Sequence, residues 1–337
     1  MRILAIESSC DESSIAWMDS QEGTLKHWVS SQIEAHATYG GVVPDIASAL
    51  HLKQLPALLK NPALPAEHPD RIVVTNGPGL APCLAMGIAC AEALSLAWNA
   101  PLYPGNHLRA HAYSPFIPLY NEFPAHFESR LKALLPHLGL LVSGGNTLLF
   151  KITQSLQFEI IADTVDDAAG EALDKGAKLL GLGYPGGPAL EMKAREGNPH
   201  AINFPRAFPQ PNQMKFSFSG LKTSLRYYLE KIDEETFHQQ LADICASYQQ
   251  AVVDALCRKV NQALQLAPAQ SKSIGLSGGV AQNQTLRARV QDVAQKHHLR
   301  LLPANPEHCG DNAAMIAFAH WINPNTSSLS LQPSLSL

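Results

Sequence analysis

Charge is scarce in this chain. Charged residues fill 16% of its 337 positions against 46% hydrophobic, and 25 basic to 29 acidic side chains leave a formal charge of −4. That balance excludes a disordered, heavily solvated chain and argues for a large core. It also excludes a nucleic-acid binder that works by net charge, so such a partner must be met by a local basic patch or with help from another subunit. Cysteine pairing motifs are missing as well. Cys10, Cys83, Cys90, Cys245, Cys257 and Cys309 show no CxxC spacing, which indicates neither a zinc ribbon nor a disulfide framework and leaves reduced thiols. No clean apolar run is long enough for a bilayer: the stretch 80–100 is broken by Pro82 and Glu92, so no membrane association is expected. At the start, Glu7 puts an acid where a signal peptide keeps its apolar centre. A cytoplasmic enzyme of roughly two domains is expected.

Histidine, by contrast, is plentiful, with 14 in the chain. His107 and His111 are four apart, so a helix sets both rings on one face, close enough to share an ion. Imidazole is a common ligand for zinc or iron, and the further ligand is often a carboxylate. The best candidate is Asp311, which opens an apolar, alanine-rich helix far downstream. Chance pairing among so many histidines is the competing explanation.

Short β-branched or apolar runs punctuated by glycine set the architecture. Residues 3–6 and 15–18 read as two strands of a hairpin joined through 7–14, whose tip is packed with hydroxyls and two acids; it faces either a phosphate or its metal, or plain solvent. Residues 72–75 form a strand running into the turn-rich loop 76–82 and a helix over 85–97, an α/β layer pattern. Strand, glycine turn, strand follows at 140–150, and strand, glycine turn, helix at 273–283. Their Ser143-Gly144-Gly145 and Ser277-Gly278-Gly279 turns echo each other and suggest two ligand-facing loops meeting at one cleft. Such turns bring backbone N–H groups to a phosphate, or are ordinary hairpin turns. Between them lie a helix over 166–180, a constrained turn at 181–188 and a long helix over 234–266. Lys215, Lys222 and Arg226 make the best local basic patch. The proline-bearing stretch 113–138 reads as an irregular insertion or linker, and the Ser-, Leu- and Pro-rich tail from Asn323 as poorly ordered.

In order along the chain, these motifs resemble a known family. Residues 6–12 (Ile-Glu-Ser-Ser-Cys-Asp-Glu), 39–44 (Tyr-Gly-Gly-Val-Val-Pro), 77–80 (Gly-Pro-Gly-Leu), 106–111 (Asn-His-x3-His), 143–145, 166–188, 216–223 (Phe-Ser-Phe-Ser-Gly-Leu-Lys-Thr) and 311–314 (Asp-Asn-Ala-Ala) all match. The chain is similar to bacterial TsaD, which installs threonylcarbamoyl on tRNA. The resemblance implies the α/β fold of actin, heat-shock ATPases and sugar kinases: two ribonuclease-H-like lobes with an interlobe active site. The lobes are expected at 1–112, completed by 312–337, and at 113–311. It implies transfer of threonylcarbamoyl from threonylcarbamoyl-AMP to N6 of the tRNA adenosine beside the anticodon. Its implied cofactor is one divalent metal ion, iron or zinc, held by His107, His111 and Asp311. Leu141, Val142, Ser143, Gly144, Gly145, Asp174, Gly187, Glu191 and Asn283 would line the adenylate site, and Lys215, Lys222 and Arg226 would meet the tRNA. A bound metal is a Lewis acid and a template, backbone amides offset phosphate charge, and an acid such as Asp174 suits ribose hydroxyls. The aromatic amine is a poor nucleophile, so a base is needed, with Asp11 or Glu12 the candidates. The implied partners are a catalytically silent, TsaB-like paralogue and a small, TsaE-like P-loop ATPase.

The chain departs from the family pattern at Asn146, where His is common, at Ser13 and Gly310, where Thr is usual, and in the length of 113–138. Three rivals compete. A His-Glu-x-x-His peptidase needs a glutamate where Leu108 stands. A carbamoyltransferase acting on a small molecule or another protein is disfavoured by the ordered tRNA-family motifs. A non-catalytic scaffold paralogue would lack the two histidines.

Overall fold

The computed structural model describes residues 1–266 and 271–337. Two compact units share the chain: Met1–Lys132 with Ala304–Leu337, and Ala133–Pro303. The expected lobes divided at 112/113 and 311/312 instead; here 113–132 and 304–311 pack with the first unit.

In the first unit, β1 (Arg2–Glu7), β2 (Glu12–Asp19), β3 (Thr24–Ser31), β4 (Arg71–Gly77) and β5 (Leu102–Asn106) form one sheet in the order β3-β2-β1-β4-β5. β1 pairs antiparallel with β2 and parallel with β4, and β4 runs parallel to β5. β1 is apolar on both faces because both are covered. Leu4 and Ile6 join Ile15, Trp17, Ile72 and Val74 in a core closed by Leu55 and Ala91 from the helices Pro44–Leu59 and Ala81–Trp98. Ile3 and Ala5 point the other way, on the side where the helix Ala313–Ile322 packs against β1 and β2. The second unit repeats the plan. β6 (His137–Val142), β7 (Thr147–Ile152), β8 (Phe158–Asp163), β9 (Ser273–Ser277) and β10 (Arg300–Pro303) are ordered β10-β9-β6-β7-β8, with β6–β7 and β7–β8 antiparallel and β6–β9 and β9–β10 parallel.

Three expectations are corrected. The stretch 113–138 is no irregular insertion: it winds through Ile117–Glu122 and Phe127–Leu134 with short 3₁₀ turns between. Pro115, Pro118 and Pro124 sit at helix starts, where a missing N–H costs nothing. Tyr120 and Phe127 stack with Phe318 and Trp321, which binds this stretch to the first unit. The tail is also placed. Asn76 Nδ2 donates to Ser330 O at 2.8 Å, Gln332 N to Asn76 O at 2.8 Å, Gly79 N to Pro333 O at 3.2 Å and Asn106 Nδ2 to Ser336 O at 2.6 Å. Low-complexity composition hid partners that lie at the ends of β4 and β5 and in the loop after β4. The apolar stretch 80–100 is likewise one unbroken helix, Ala81–Trp98, because Pro82 falls in its first turn; by length and composition alone it could cross a membrane.

Buried histidines set the pH response of this fold. Burial pushes His137, at the start of β6, down from 6.5 to about 3, and burial followed by the Arg71 charge pushes His320 down to about 4. Each ring is neutral when folded and protonates readily only when unfolded. Their contribution is complete above pH 6.5 and is lost as pH falls towards 3–4. Urea midpoints measured from pH 7 to 4 should fall, with roughly a tenfold loss in the folding constant per pH unit for each such group. His137→Gln should flatten that slope; an identical slope in the variant would contradict this origin.

Candidate active site

Sequence brings His107 and His111 onto one helix face, and the fold brings Asp311 to them. Asn106 caps the helix His107–Tyr113, its side-chain oxygen accepting Arg109 N at 2.9 Å. On the other arm, Asn312 caps Ala313–Ile322 by accepting Met315 N at 3.0 Å, and Ala313 N donates to Ser14 Oγ at 2.9 Å. Each ligand source is thus seated beside a helix cap, which fixes the backbone locally. Asp311 Oδ1 lies 3.4 Å from His107 Nε2 and 3.1 Å from His111 Nε2. The two rings meet edge to face with centroids 4.7 Å apart, and one donor atom from each residue falls within 4.8 Å of the others.

The electrostatics are those of buried charges that must compensate one another. Burial opposes a charged His107, but Asp311 and Glu7 outweigh it and raise the ring to about 9. Burial likewise opposes an ionised Asp311, yet the two histidines hold it down to about 2. Burial keeps His111 below its ordinary value. The donor set suits the implied metal: two imidazoles and a carboxylate, with His111 Nδ1 buried and lacking a hydrogen-bond partner among the described residues.

The hairpin tip over 7–14 closes on this cluster and is not a solvated turn. Ser8, Ser9, Ser13 and Ser14 are buried, as is Asp11. Burial, then the negative charges of Asp311 and Asp11, lift the Glu12 carboxyl well above the usual range. Four contributors were not singled out individually in the sequence: Glu7 and Ser9, inside the 7–14 stretch, Asn106, inside the Asn-His-x3-His motif, and Thr75. Glu7 had a visible signal, a lone acid closing the apolar run 3–6, but its partner Thr75 is 68 positions away.

In the second unit the adenylate candidates adjoin one another. Gly144 and Gly145 present open backbone in the turn closed by Ser143 N to Asn146 O at 2.8 Å. Gly278, at φ +88°, is where the second Ser-Gly-Gly turn seats against Val142: a Cβ there would lie 2.3 Å from Val142 O. The second turn therefore seats against the strand end that leads into the first. Gly170, in the first turn of the helix Ala169–Leu179, packs on Ser143 in the same way, its N donating to Ser143 O at 3.2 Å. Asp174 Oδ1 accepts Gly187 N at 2.8 Å, and Glu191 Oε1 accepts Gln284 N at 2.8 Å. Leu141 and Val142 are buried in β6, which leaves only their backbone to face a ligand. Asn283 is spent on structure, capping Gln284–Lys296 through Leu286 N at 2.9 Å and donating to Gln249 Oε1 at 2.8 Å.

Lys215, Lys222 and Arg226 are exposed. Lys222 and Arg226 stand a turn apart on Ser219–Leu229, and Arg226 faces Glu230 at 3.5 Å and the Tyr227 ring at 5.2 Å. The acid dilutes the patch.

Among solved structures, HypF from T. kodakarensis superposes over 96% of this chain and 48% of that one, with TM-score 0.61 and 15% identity. A full-length HypF in the phosphate- and nucleotide-bound form matches 96% of this chain and 47% of that one, with TM-score 0.58 and 13% identity. The chain spans about half the length of these HypF chains, and at such identity they bear on the fold alone. Two lobes of repeated topology place it in the actin-like α/β class. The model of the family TsaD, tRNA N6-adenosine threonylcarbamoyltransferase, matches residues 23–318, most of the 337, and the chain belongs to that family.

Proposed function

We propose that this protein transfers the threonylcarbamoyl group from threonylcarbamoyl-AMP to N6 of the tRNA adenosine beside the anticodon. The observation that carries this reading is the cluster of buried His107 and His111 with half-buried Asp311 in a chain of the TsaD family. In the reaction the N6 amine attacks the carbamoyl carbon, the bond from that carbon to phosphate oxygen breaks, AMP leaves, and the amine gives up a proton. Asp11 or Glu12 takes that proton; burial and the nearby Asp311 and Asp11 charges lift the Glu12 carboxyl well above its ordinary range, so once ionised it holds a proton more firmly than an ordinary carboxylate. The open N–H groups of Gly144 and Gly145 receive phosphate charge, and Asp174 and Glu191 hold Gly187 and Gln284 in position around the nucleotide. His107, His111 and Asp311 hold the divalent ion, iron or zinc, which when bound supplies Lewis acidity. Lys215, Lys222 and Arg226 meet the tRNA backbone, with binding completed by other subunits. The six free cysteines suit a reducing cytoplasm.

Single-turnover transfer tests the reading. Protein with its partners is mixed with threonylcarbamoyl-AMP and unmodified tRNA, beside His107→Ala/His111→Ala and Lys222→Glu/Arg226→Glu. Wild type should form modified adenosine; the histidine variant should lose product together with bound metal, by at least ~10²-fold for a Lewis-acid role. The charge-reversed variant should keep metal and lose tRNA affinity. Wild type that binds nucleotide and metal yet modifies no tRNA would favour a small-molecule carbamoyltransferase or a scaffold.

We further propose a paralogous, TsaB-like partner seated on the outward faces of Pro44–Leu59 and Ala81–Trp98. These helices pack together, and their outer side leaves Leu52 66% and Leu96 85% exposed. A small P-loop ATPase is the third member. Leu52→Asp/Leu96→Asp should abolish co-elution with the paralogue while leaving the chain folded; undiminished co-elution would place the partner elsewhere.

A further inference from the structure

The two histidines present Nε2 to the same oxygen of Asp311, but behind the rings they differ. His107 Nδ1 lies 3.1 Å from Glu7 Oε2 and 3.2 Å from Ser9 Oγ. His111 Nδ1 has no such partner among the described residues. Glu7 closes β1, is fully buried, and uses both oxygens: Oε1 accepts Ser9 N at 2.6 Å, and Oε2 accepts Thr75 Oγ1 at 2.5 Å as well as facing the ring. Thr75 lies on the adjacent parallel strand β4. Glu7 is therefore held from two buried strands before it touches the imidazole. The transfer reaction proposed above gives it no part, and a buried carboxylate is retained at a cost of several kcal/mol.

We propose that Glu7 is the positioning residue of the metal site. It accepts the Nδ1–H of His107, fixes that ring's tautomer and orientation, and leaves the Nε2 lone pair for the ion. A neutral imidazole has one N–H, so committing it at Nδ1 decides which nitrogen can ligate. A carboxylate behind the ring also makes it a better donor to metal. Of the two acceptors near Nδ1, the carboxylate makes the stronger bond. The two histidines are then unequal: His107 is held from behind by charge, whereas His111 keeps freedom to adjust. The proposal rests on the reading of His107, His111 and Asp311 as a metal site.

Glu7→Gln preserves size but not function under this account. Both carboxylate oxygens face donors, so the amide must turn its NH2 against Ser9 N–H or against the Thr75 and His107 side. Purified metal-free full chain is titrated with Co²⁺, with affinity read by chelator competition and ligand field by visible absorption. Glu7→Gln should bind about 10–100-fold more weakly and shift the absorption bands. Leu55→Ala, in the core of the same unit, controls for lost stability and should leave both readouts unchanged. Thr75→Val, which removes one support of Oε2, should weaken binding in the same direction by less, and it decides the matter should Glu7→Gln fail to fold. Unchanged affinity and spectrum in the folded Glu7 or Thr75 variant, or equal weakening in Leu55→Ala, would overturn the assignment while the metal site stands. A wild-type chain that takes up no Co²⁺ would overturn both.

Discussion

Everything around the candidate site answers to one constraint: acids and imidazoles are buried together and must neutralise one another. Glu7 and the two histidines are almost wholly enclosed, and Asp311 is only 21% exposed. A buried charge is tolerated when paired and hydrogen-bonded, and stranding one partner costs more than the pair contributes. Hence the density of fixed partners here. β1 and β4 supply Glu7 and Thr75, the hairpin tip supplies Ser9, and capped helices supply the histidines and, one residue before its cap, Asp311. The first sheet is buried on both faces at this point, so the carboxylate has rigid walls.

The second unit solves a different problem with the same sheet topology. Instead of clustered side chains it uses backbone: turns that expose N–H groups, packed by glycines against neighbouring carbonyls. Its carboxylates, Asp174 and Glu191, are occupied in bracing helix starts. One topology thus carries a side-chain cluster in one unit and glycine turns with exposed backbone in the other, which illustrates why chemistry cannot be read from fold alone.

Strands over 3–6, 72–75 and 140–150 were legible because β-branched and apolar runs bounded by glycine have few other uses. The histidine pair was legible because i, i+4 spacing is local. Asp311 lies 200 positions from His111, so periodicity could not connect them; a helix-opening acid and the family resemblance did. Glu7 was missed for the same reason, since its role comes from Thr75 and His107 across the fold. The helices between 113 and 134 were hidden by prolines that a helix start accommodates, and the ordered tail by partners such as Asn76 and Asn106 that no local pattern announces. Asn283 follows the second turn, and its amide is consumed by capping and by Gln249, a demand the sequence does not display.

The central claim is that His107, His111 and Asp311 jointly hold one ion. Anomalous scattering from crystals of the metal-loaded protein, recorded at the zinc and iron edges, tests it most directly. The account predicts one strong peak bonded to His107 Nε2, His111 Nε2 and Asp311 at roughly 2.0–2.2 Å. No peak there in crystals of protein that carries stoichiometric metal, or a peak bound by other side chains, would contradict it.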